Sequence, residues 1–185
     1  MRLFIAADPP APIKRQLIEI RNQLSRGVKG VKWVEDQNLH LTLKFLGEVE
    51  DSLLPRIIEQ IGKTVSGGQT INLSLGEIGY FPNKSNPRVV WVGLKGEIEE
   101  LNKIGTELDK GLESLGFELE KNRKAHLTLG RVKFNDGTKQ MFSNISNVKH
   151  PAKSDFVIDG ITLYQSQLTR EGPIYSVLEK YGFSS

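Results

Sequence analysis

The chain has 185 residues and a net charge of +3, with 38% hydrophobic and 25% charged residues, which is typical of a soluble globular protein. Its length suits one domain or two small lobes that share an interface, and the absence of cysteine excludes disulfides and thiolate metal sites. No stretch has the length and apolar character of a transmembrane helix or a signal peptide, so we expect a cytoplasmic protein with no membrane partner.

The first half of the chain predicts two helices set between strands. Gly47 is expected to end the third of four strand patterns, which cover 3–7, 31–34, 39–46 and 71–80. Prolines in its first turn open the first helix, whose apolar residues recur at helical spacing: Ile13, Leu17, Ile20 and Leu24. Asp51 or Ser52 is expected to cap the second helix, whose apolar face holds Leu54, Ile57, Ile58, Ile61 and Val65.

The second half repeats this plan. It begins with a strand at 88–94, and the clearest helix of the chain then runs over 97–115 and ends at Gly116. A strand at 125–132 and a short helix at 139–145 follow, and then strands at 155–164 and 174–181 flank a polar loop. We therefore predict an α+β fold over residues 1–185, a single domain of two pseudo-symmetric lobes. Each lobe would have an antiparallel sheet and outer helices, with an active-site cleft between the sheets.

One tetrapeptide, His-Leu-Thr-Leu, occurs twice, and its copies begin at His40 and His126, 86 residues apart. Strand alternation turns each histidine and the threonine two residues later, Thr42 or Thr128, to one face and the leucines to the core. A lone histidine on a strand is more often a surface or hydrogen-bonded residue. The second identical copy favours one active site assembled from two strands.

Two imidazoles across a cleft can act as a general acid and a general base, because a pKa of about 6.5 lets each hold or release a proton near neutral pH. A threonine hydroxyl beside each ring can donate to a phosphate oxygen. This arrangement suits a phosphoryl group held between the histidines, and it needs no metal. Two histidines on distant strands also lack the third ligand and the local spacing of a zinc site, so no metal or cofactor is expected.

Basic residues gather around the second copy. Two segments carry cations and no acid: 121–133, with Lys121, Arg123, Lys124, Arg131 and Lys133, and 82–95, with Lys84, Arg88 and Lys95. A basic stripe of this kind attracts a polyanion, although a solvated basic face fits the pattern equally well.

These motifs and their surroundings resemble the 2H phosphoesterase superfamily, and more narrowly the bacterial and archaeal RNA 2′,3′-cyclic phosphodiesterases, also called 2′-5′ RNA ligases. The resemblance covers nearly the whole chain and rests on Trp33, 38–47, Phe81-Pro82, 90–93, 126–131, 163–166 and Tyr175. It implies a bilobal fold and hydrolysis of a 2′,3′-cyclic phosphate at an RNA end to a 2′-phosphomonoester. RNA would be the partner, with no obligate protein partner.

The resemblance also implies a role for each site residue. His40 would donate a proton to the leaving 3′-oxygen, and His126 would be the base that activates water. Thr42 and Thr128 would bind the phosphate, and the family's arginine after the second motif falls on Arg131. On a regular strand this arginine would face the core. A bulge at the preceding glycine would turn the guanidinium toward the phosphate instead.

Four further side chains are weaker candidates for contact with the substrate. Lys44 shares the predicted face of the first motif and could touch substrate, although a lysine that faces solvent fits equally well. Phe45, Trp33 and Tyr164 could stack on a base, with buried packing favoured for Phe45 and Trp33. The third histidine, His150, precedes a proline in a loop and receives no role.

Two alternatives to hydrolysis remain open at this point. The same site could join a cyclic phosphate end to a 5′-hydroxyl and form a 2′-5′ bond, with an alcohol in place of water. A second alternative is a module that binds RNA or a nucleotide without chemistry. The presence of both histidines and both threonines disfavours this second alternative.

Overall fold

The computed structural model describes residues 1–184 and, of Asn135, the backbone alone. This part of the chain contains four helices: α1 (Ala11–Ser25), α2 (Leu54–Val65), α3 (Ile98–Glu113) and α4 (Thr138–Ile145). It contains nine strands: β1 (Arg2–Ala7), β2 (Val31–Trp33), β3 (Leu41–Glu48), β4 (Ile71–Phe81), β5 (Val89–Gly96), β6 (His126–Val132), β7 (Asp155–Ile158), β8 (Gly160–Leu168) and β9 (Pro173–Gly182). The predicted α+β class is confirmed.

The strands form one antiparallel sheet that interleaves the two halves of the chain. Its order is β7-β4-β5-β6-β3-β1-β8-β9, and the short strand β2 also pairs with β6. One half of the sheet therefore combines β3 and β1 with the last two strands, and the other half combines β4 and β5 with β6 and β7. The two motif strands, β3 and β6, lie next to each other where these halves join.

The sheet must curl, because β7 and β8 lie near opposite ends of this order yet are separated in sequence by Asp159 alone. One residue spans only about 4 Å of chain, so the ends of these two strands must lie close together. The sequence predicted a single strand over 155–164. The structure replaces it with two strands that pair with different partners, β4 and β1.

The helices cover one face of the sheet and complete the main core. Their buried side chains recur at the predicted helical spacing: Ile13, Leu17, Ile20, Leu24, Ile57, Ile61, Val65, Leu101, Leu108 and Leu112. The motif leucines, from Leu41 to Leu129, are buried in the same cluster. A second, small cluster of Phe4, Ala6 and Tyr164 is separate from this core.

Three details of the predicted elements are wrong. Gly47 does not end its strand, since β3 continues to Glu48 through a glycine with φ of 71°. Neither Asp51 nor Ser52 caps α2, because a 3-10 turn over these residues leads into the helix, whose N-cap is Leu53 without a side-chain hydrogen bond. The polar loop expected at 165–173 is shorter, since β8 runs to Leu168 and β9 begins at Pro173.

Candidate active site

The register of the motif strands brings the two histidines to one face of the sheet. β3 and β6 are antiparallel and pair at Leu41 and Leu127, both buried in the core. The residues on either side of this pair face the other way. Each motif histidine therefore lies across from the threonine of the other motif, and His40 and His126 are diagonal neighbours. Diagonal neighbours on adjacent strands have Cα atoms about 7–8 Å apart, so both rings can flank one bound group.

His40 lies among three aromatic rings. Its ring is stacked with those of Phe4 and Tyr164, with ring centres 5.0 Å and 5.7 Å away, and is edge-on to the ring of Tyr175, whose centre is 5.1 Å away. This burial lowers the pKa of His40 from 6.5 to about 4, and the nearby carboxylate of Asp8 opposes part of the effect. The His40 imidazole is therefore neutral at pH 7 in the free protein.

Asp8 is the site residue that the sequence reasoning missed. It follows β1, whose last residue, Ala7, pairs with Leu41, so the same register places Asp8 beside His40. Its Oδ2 accepts hydrogen bonds from the hydroxyl of Tyr164 at 2.6 Å and from that of Thr162 at 3.3 Å. The only sequence signal was an acid at the end of a strand, which is common and carries no indication of function.

His126 has a different environment. Its Nδ1 lies 2.7 Å from the backbone carbonyl oxygen of Lys124. Because a carbonyl only accepts hydrogen bonds, the proton of the neutral ring is on Nδ1 and Nε2 has a free lone pair. The ring is edge-on to Phe81 at 4.8 Å and lies 6.0 Å from the ring of Trp91. Burial lowers the pKa of His126, and the hydrogen bond to Lys124 opposes this.

The bulge predicted near Gly130 is present. Trp91 pairs with Thr128 and Val90 with Gly130, so the register passes over Leu129. The shift returns Arg131 to the face of Thr128. Burial is the main cause of the lowered pKa of His126, and the positive charge of Arg131 lowers it further. The same charge opposes the burial that raises the pKa of Tyr175, a residue in contact with His40. The guanidinium thus lies within electrostatic range of both halves of the site.

The predicted position of Lys44 at the site or in solvent and the buried packing favoured for Phe45 are both wrong, because β3 also shifts register. Thr42 pairs with Ala6 while Lys44 pairs with Ile5, the next residue back along β1, so Leu43 is passed over. Lys44 therefore turns to the core, where 4% of it is exposed and it forms an ion pair with Asp109. Phe45 turns to the face of the site and is 66% exposed.

The remaining aromatic candidates are packing residues in the free protein. Trp33 is half-buried against the core and lies so close to Gly130 that a Cβ there would be 2.9 Å from its ring. Tyr164 is buried, stacks on Phe4 at 5.2 Å and donates to Asp8. Packing was the interpretation favoured for Trp33, whereas the sequence proposed a stacking role for Tyr164.

Part of the basic stripe reaches this face. The side chain of Lys124 is exposed and its Nζ lies 4.5 Å from the ring centre of Trp91, within cation–π range. Arg123, by contrast, is only 13% exposed and forms an ion pair with Asp109. Among the residues that the structure describes, no three His, Asp or Glu side chains are arranged to hold a metal ion. None of the described helices is both long and apolar enough to cross a bilayer.

Comparison with known proteins places this architecture in a family. The profile of the LigT-like phosphoesterases matches the chain twice, over 7–91 and 92–175, with one motif in each segment. The RNA 2′,3′-cyclic phosphodiesterase of Methanocaldococcus jannaschii is 40% identical over 181 residues, which is 98% of this chain and 100% of that protein.

Solved structures agree over the full length. TT0787 of Thermus thermophilus has a TM-score of 0.81 at 29% identity, over 99% of this chain and 98% of that one. E. coli LigT complexed with 3′-AMP has a TM-score of 0.76 at 26% identity, over 100% of this chain and 98% of that one. The two tandem matches also explain why the halves of the chain repeat in plan. The chain belongs to the LigT-like phosphoesterase family.

Proposed function

We propose that this protein is an RNA 2′,3′-cyclic phosphodiesterase, in which His40 and His126 act as general acid and general base without a metal. The observation that carries the proposal is the β3–β6 register, which sets the two imidazoles diagonally on one face with a threonine across from each. The name of the M. jannaschii relative supports the substrate class. The 3′-AMP in the E. coli LigT crystal supports a site that accepts a nucleotide phosphate.

His126 suits the role of base. Its Nδ1 is occupied by the carbonyl of Lys124, so Nε2 is left to accept a proton from water. As this proton leaves, the water oxygen attacks phosphorus and the bond from phosphorus to the 3′-oxygen breaks. The phosphate then remains on the 2′-oxygen as a monoester.

His40 would protonate the departing 3′-oxygen, although it is neutral in the free protein. A cyclic phosphate carries one negative charge, and an anion beside a buried imidazole raises the pKa of that imidazole. Binding of the substrate would thus favour protonation of His40, and the negative charge of Asp8 also raises the pKa of His40. The acid is then charged only when a phosphate is present to receive its proton.

Thr42, Thr128 and Arg131 would hold the phosphate oxygens. The threonines share the face of the histidines through the β3–β6 register, and the bulge in β6 brings the arginine to that face. A guanidinium in this position stabilises the charge that develops on the phosphate oxygens in the transition state.

The test is incubation of the protein with an RNA that ends in a 2′,3′-cyclic phosphate, in excess chelator, followed by identification of the product end. We expect a 2′-phosphomonoester. A matched RNA with a 5′-hydroxyl end, added in a parallel reaction, reports ligation at the same site through a 2′-5′ linked product. Binding of the RNA with neither product would overturn the proposal and leave a binding module.

A further inference from the structure

The loop that leads into the second motif is held by a buried ionic cluster on the helix side of the sheet. This loop, 117–125, is irregular and ends directly before His126. The cluster consists of Lys44 on β3, Asp109 on α3 and Arg123 in the loop itself. The Lys44 and Asp109 side chains are 4% and 5% exposed. Nothing in the proposed chemistry uses these three residues.

Asp109 is the centre of this cluster. Its Oδ1 accepts from Lys44 Nζ, and its Oδ2 accepts from Arg123 Nη2 at 2.7 Å and from the backbone N–H of Glu120 at 3.1 Å. Burial alone would raise the pKa of Asp109, but the contacts with Lys44, Glu120 and Arg123 hold it below its usual value. The carboxylate is therefore charged, and both of its oxygens accept hydrogen bonds.

The same cations reach the loop and the first motif strand. Lys44 Nζ also donates to the carbonyl oxygen of Glu118 at 2.7 Å. Arg123 donates to the carbonyl oxygen of Leu43, just after the point where β3 pairs with β6, and to that of Gly105 at 3.1 Å. The loop is thus tied to β3 and α3 at positions 118, 120 and 123.

Gly105 shows that the fold makes room for this arrangement. It lies inside α3, where glycine is unfavourable, and a Cβ there would lie 2.5 Å from the guanidinium carbon of Arg123. Buried ion pairs rarely add net stability, because desolvation offsets their attraction. What this cluster supplies is a fixed geometry.

The geometry that it fixes is that of Lys124. This residue lies between Arg123, which the cluster holds, and His126, whose Nδ1 contacts the Lys124 carbonyl oxygen at 2.7 Å. We propose that Asp109, with Lys44 and Arg123, is a positioning residue for His126. It acts by holding the loop so that the Lys124 carbonyl keeps the His126 proton on Nδ1. The inference rests on the proposed function only in assigning His126 the role of base.

The test compares the wild-type protein with Asp109→Asn by NMR of 15N-labelled histidine, which distinguishes protonated from unprotonated ring nitrogens. We expect His126 to be a single Nδ1–H tautomer in the wild type and a mixture of tautomers in the variant. The turnover number, kcat, should fall about 10-fold with KM nearly unchanged, because the base is misplaced while the phosphate contacts remain. Glu59→Gln, which removes an exposed ion pair on α2, is the matched control and should change neither.

A pH profile adds a second readout. A base works only when unprotonated, so activity rises as the pH passes upward through the pKa of His126. Burial is the largest cause that lowers this pKa, and the charges of Arg131 and Lys124 lower it further, whereas the Lys124 hydrogen bond and the charge of Glu120 raise it. Loss of the hydrogen bond should therefore move the rise in activity to lower pH. A purely structural role would lower the melting temperature and leave this profile in place.

Gly105→Ala provides an independent variant should Asp109→Asn fail to fold, since it displaces Arg123 while keeping every charge. It should give the same tautomer mixture. A folded variant of either kind in which His126 stays a single Nδ1–H tautomer overturns the inference. Failure of the wild type to cleave cyclic phosphate would instead count against the proposed function, because the tautomer comparison needs no activity.

Discussion

Binding of an anion at the site should raise the pKa of His40 and so favour its protonation. Burial holds the pKa of this imidazole at about 4 in the free protein. A unit negative charge about 4 Å away contributes about 4 kcal/mol at an effective dielectric constant of about 20. Since one pKa unit corresponds to about 1.4 kcal/mol, this interaction would raise the pKa to about 7. That value is suited to a proton donor near neutral pH.

Sulfate is a suitable probe, because its own charge stays fixed over this pH range. The pKa of His40 is measured by NMR titration of the 15N-labelled ring with and without saturating sulfate, using sodium chloride of equal ionic strength as the control. We expect titration near pH 4 with chloride and at about pH 7 or above with sulfate, because sulfate carries two negative charges and the cyclic phosphate carries one. Titration of the free His40 near 6.5, or an unchanged curve in saturating sulfate, would refute the reasoning.

Three further predictions concern stability and phosphate binding. His40 takes up a proton at a higher pH in the unfolded chain than in the folded protein, so stability should fall as the pH falls. Between pH 7 and a pH below 4, the free energy of unfolding of the wild type should fall by about 3 kcal/mol more than that of His40→Gln, as measured by denaturant titration. Arg131→Ala should lower kcat/KM about 100-fold in steady-state assays, whereas Lys133→Ala, at an exposed neighbour, should stay near wild type; equal losses would remove the case for Arg131. In chemical denaturation, Phe45→Ala should destabilise the fold by less than about 1 kcal/mol, because Phe45 is exposed, and Leu127→Ala by about 2–5 kcal/mol, because Leu127 is buried. The reverse order would contradict the placement of Phe45 on the exposed face and of Leu127 in the core.

The sequence predicted well those features that depend on local periodicity. The apolar spacing of Ile13, Leu17, Ile20 and Leu24 is enough to place a helix, since one buried stripe fixes both its presence and its orientation. The motif leucines likewise anchor their strands, because a register slip would expose both of them. These features follow from side chains close together in the chain.

The errors arise where tertiary pairing changes the alternation of a strand. Gly130 signalled the bulge in β6, so the orientation of Arg131 was accessible from sequence. The corresponding shift in β3 passes over Leu43, an ordinary strand residue, and nothing local marks it. Simple alternation therefore placed Lys44 on the wrong face. The same shift exposes Phe45.

Asp8 illustrates a second limit. Its importance depends on the pairing of β1 with β3 and on hydroxyls that come from β8, more than 150 residues away. No spacing rule in one sequence joins these segments. The split of the predicted strand at Asp159 has the same origin, because only the curl of the sheet shows that its two halves pair with different strands.

In the proposed reaction two particular imidazoles act on one phosphorus atom, and the third histidine of the chain provides a matched control. The measurement is the rate of cyclic phosphate hydrolysis, in excess chelator, by His40→Ala, His126→Ala and His150→Ala. His150 is exposed in a loop. Because acid and base each contribute about 100- to 10,000-fold, the first two variants should lose at least about 100-fold while the third keeps the wild-type rate. A rate within a few-fold of wild type for either His40→Ala or His126→Ala would contradict the account.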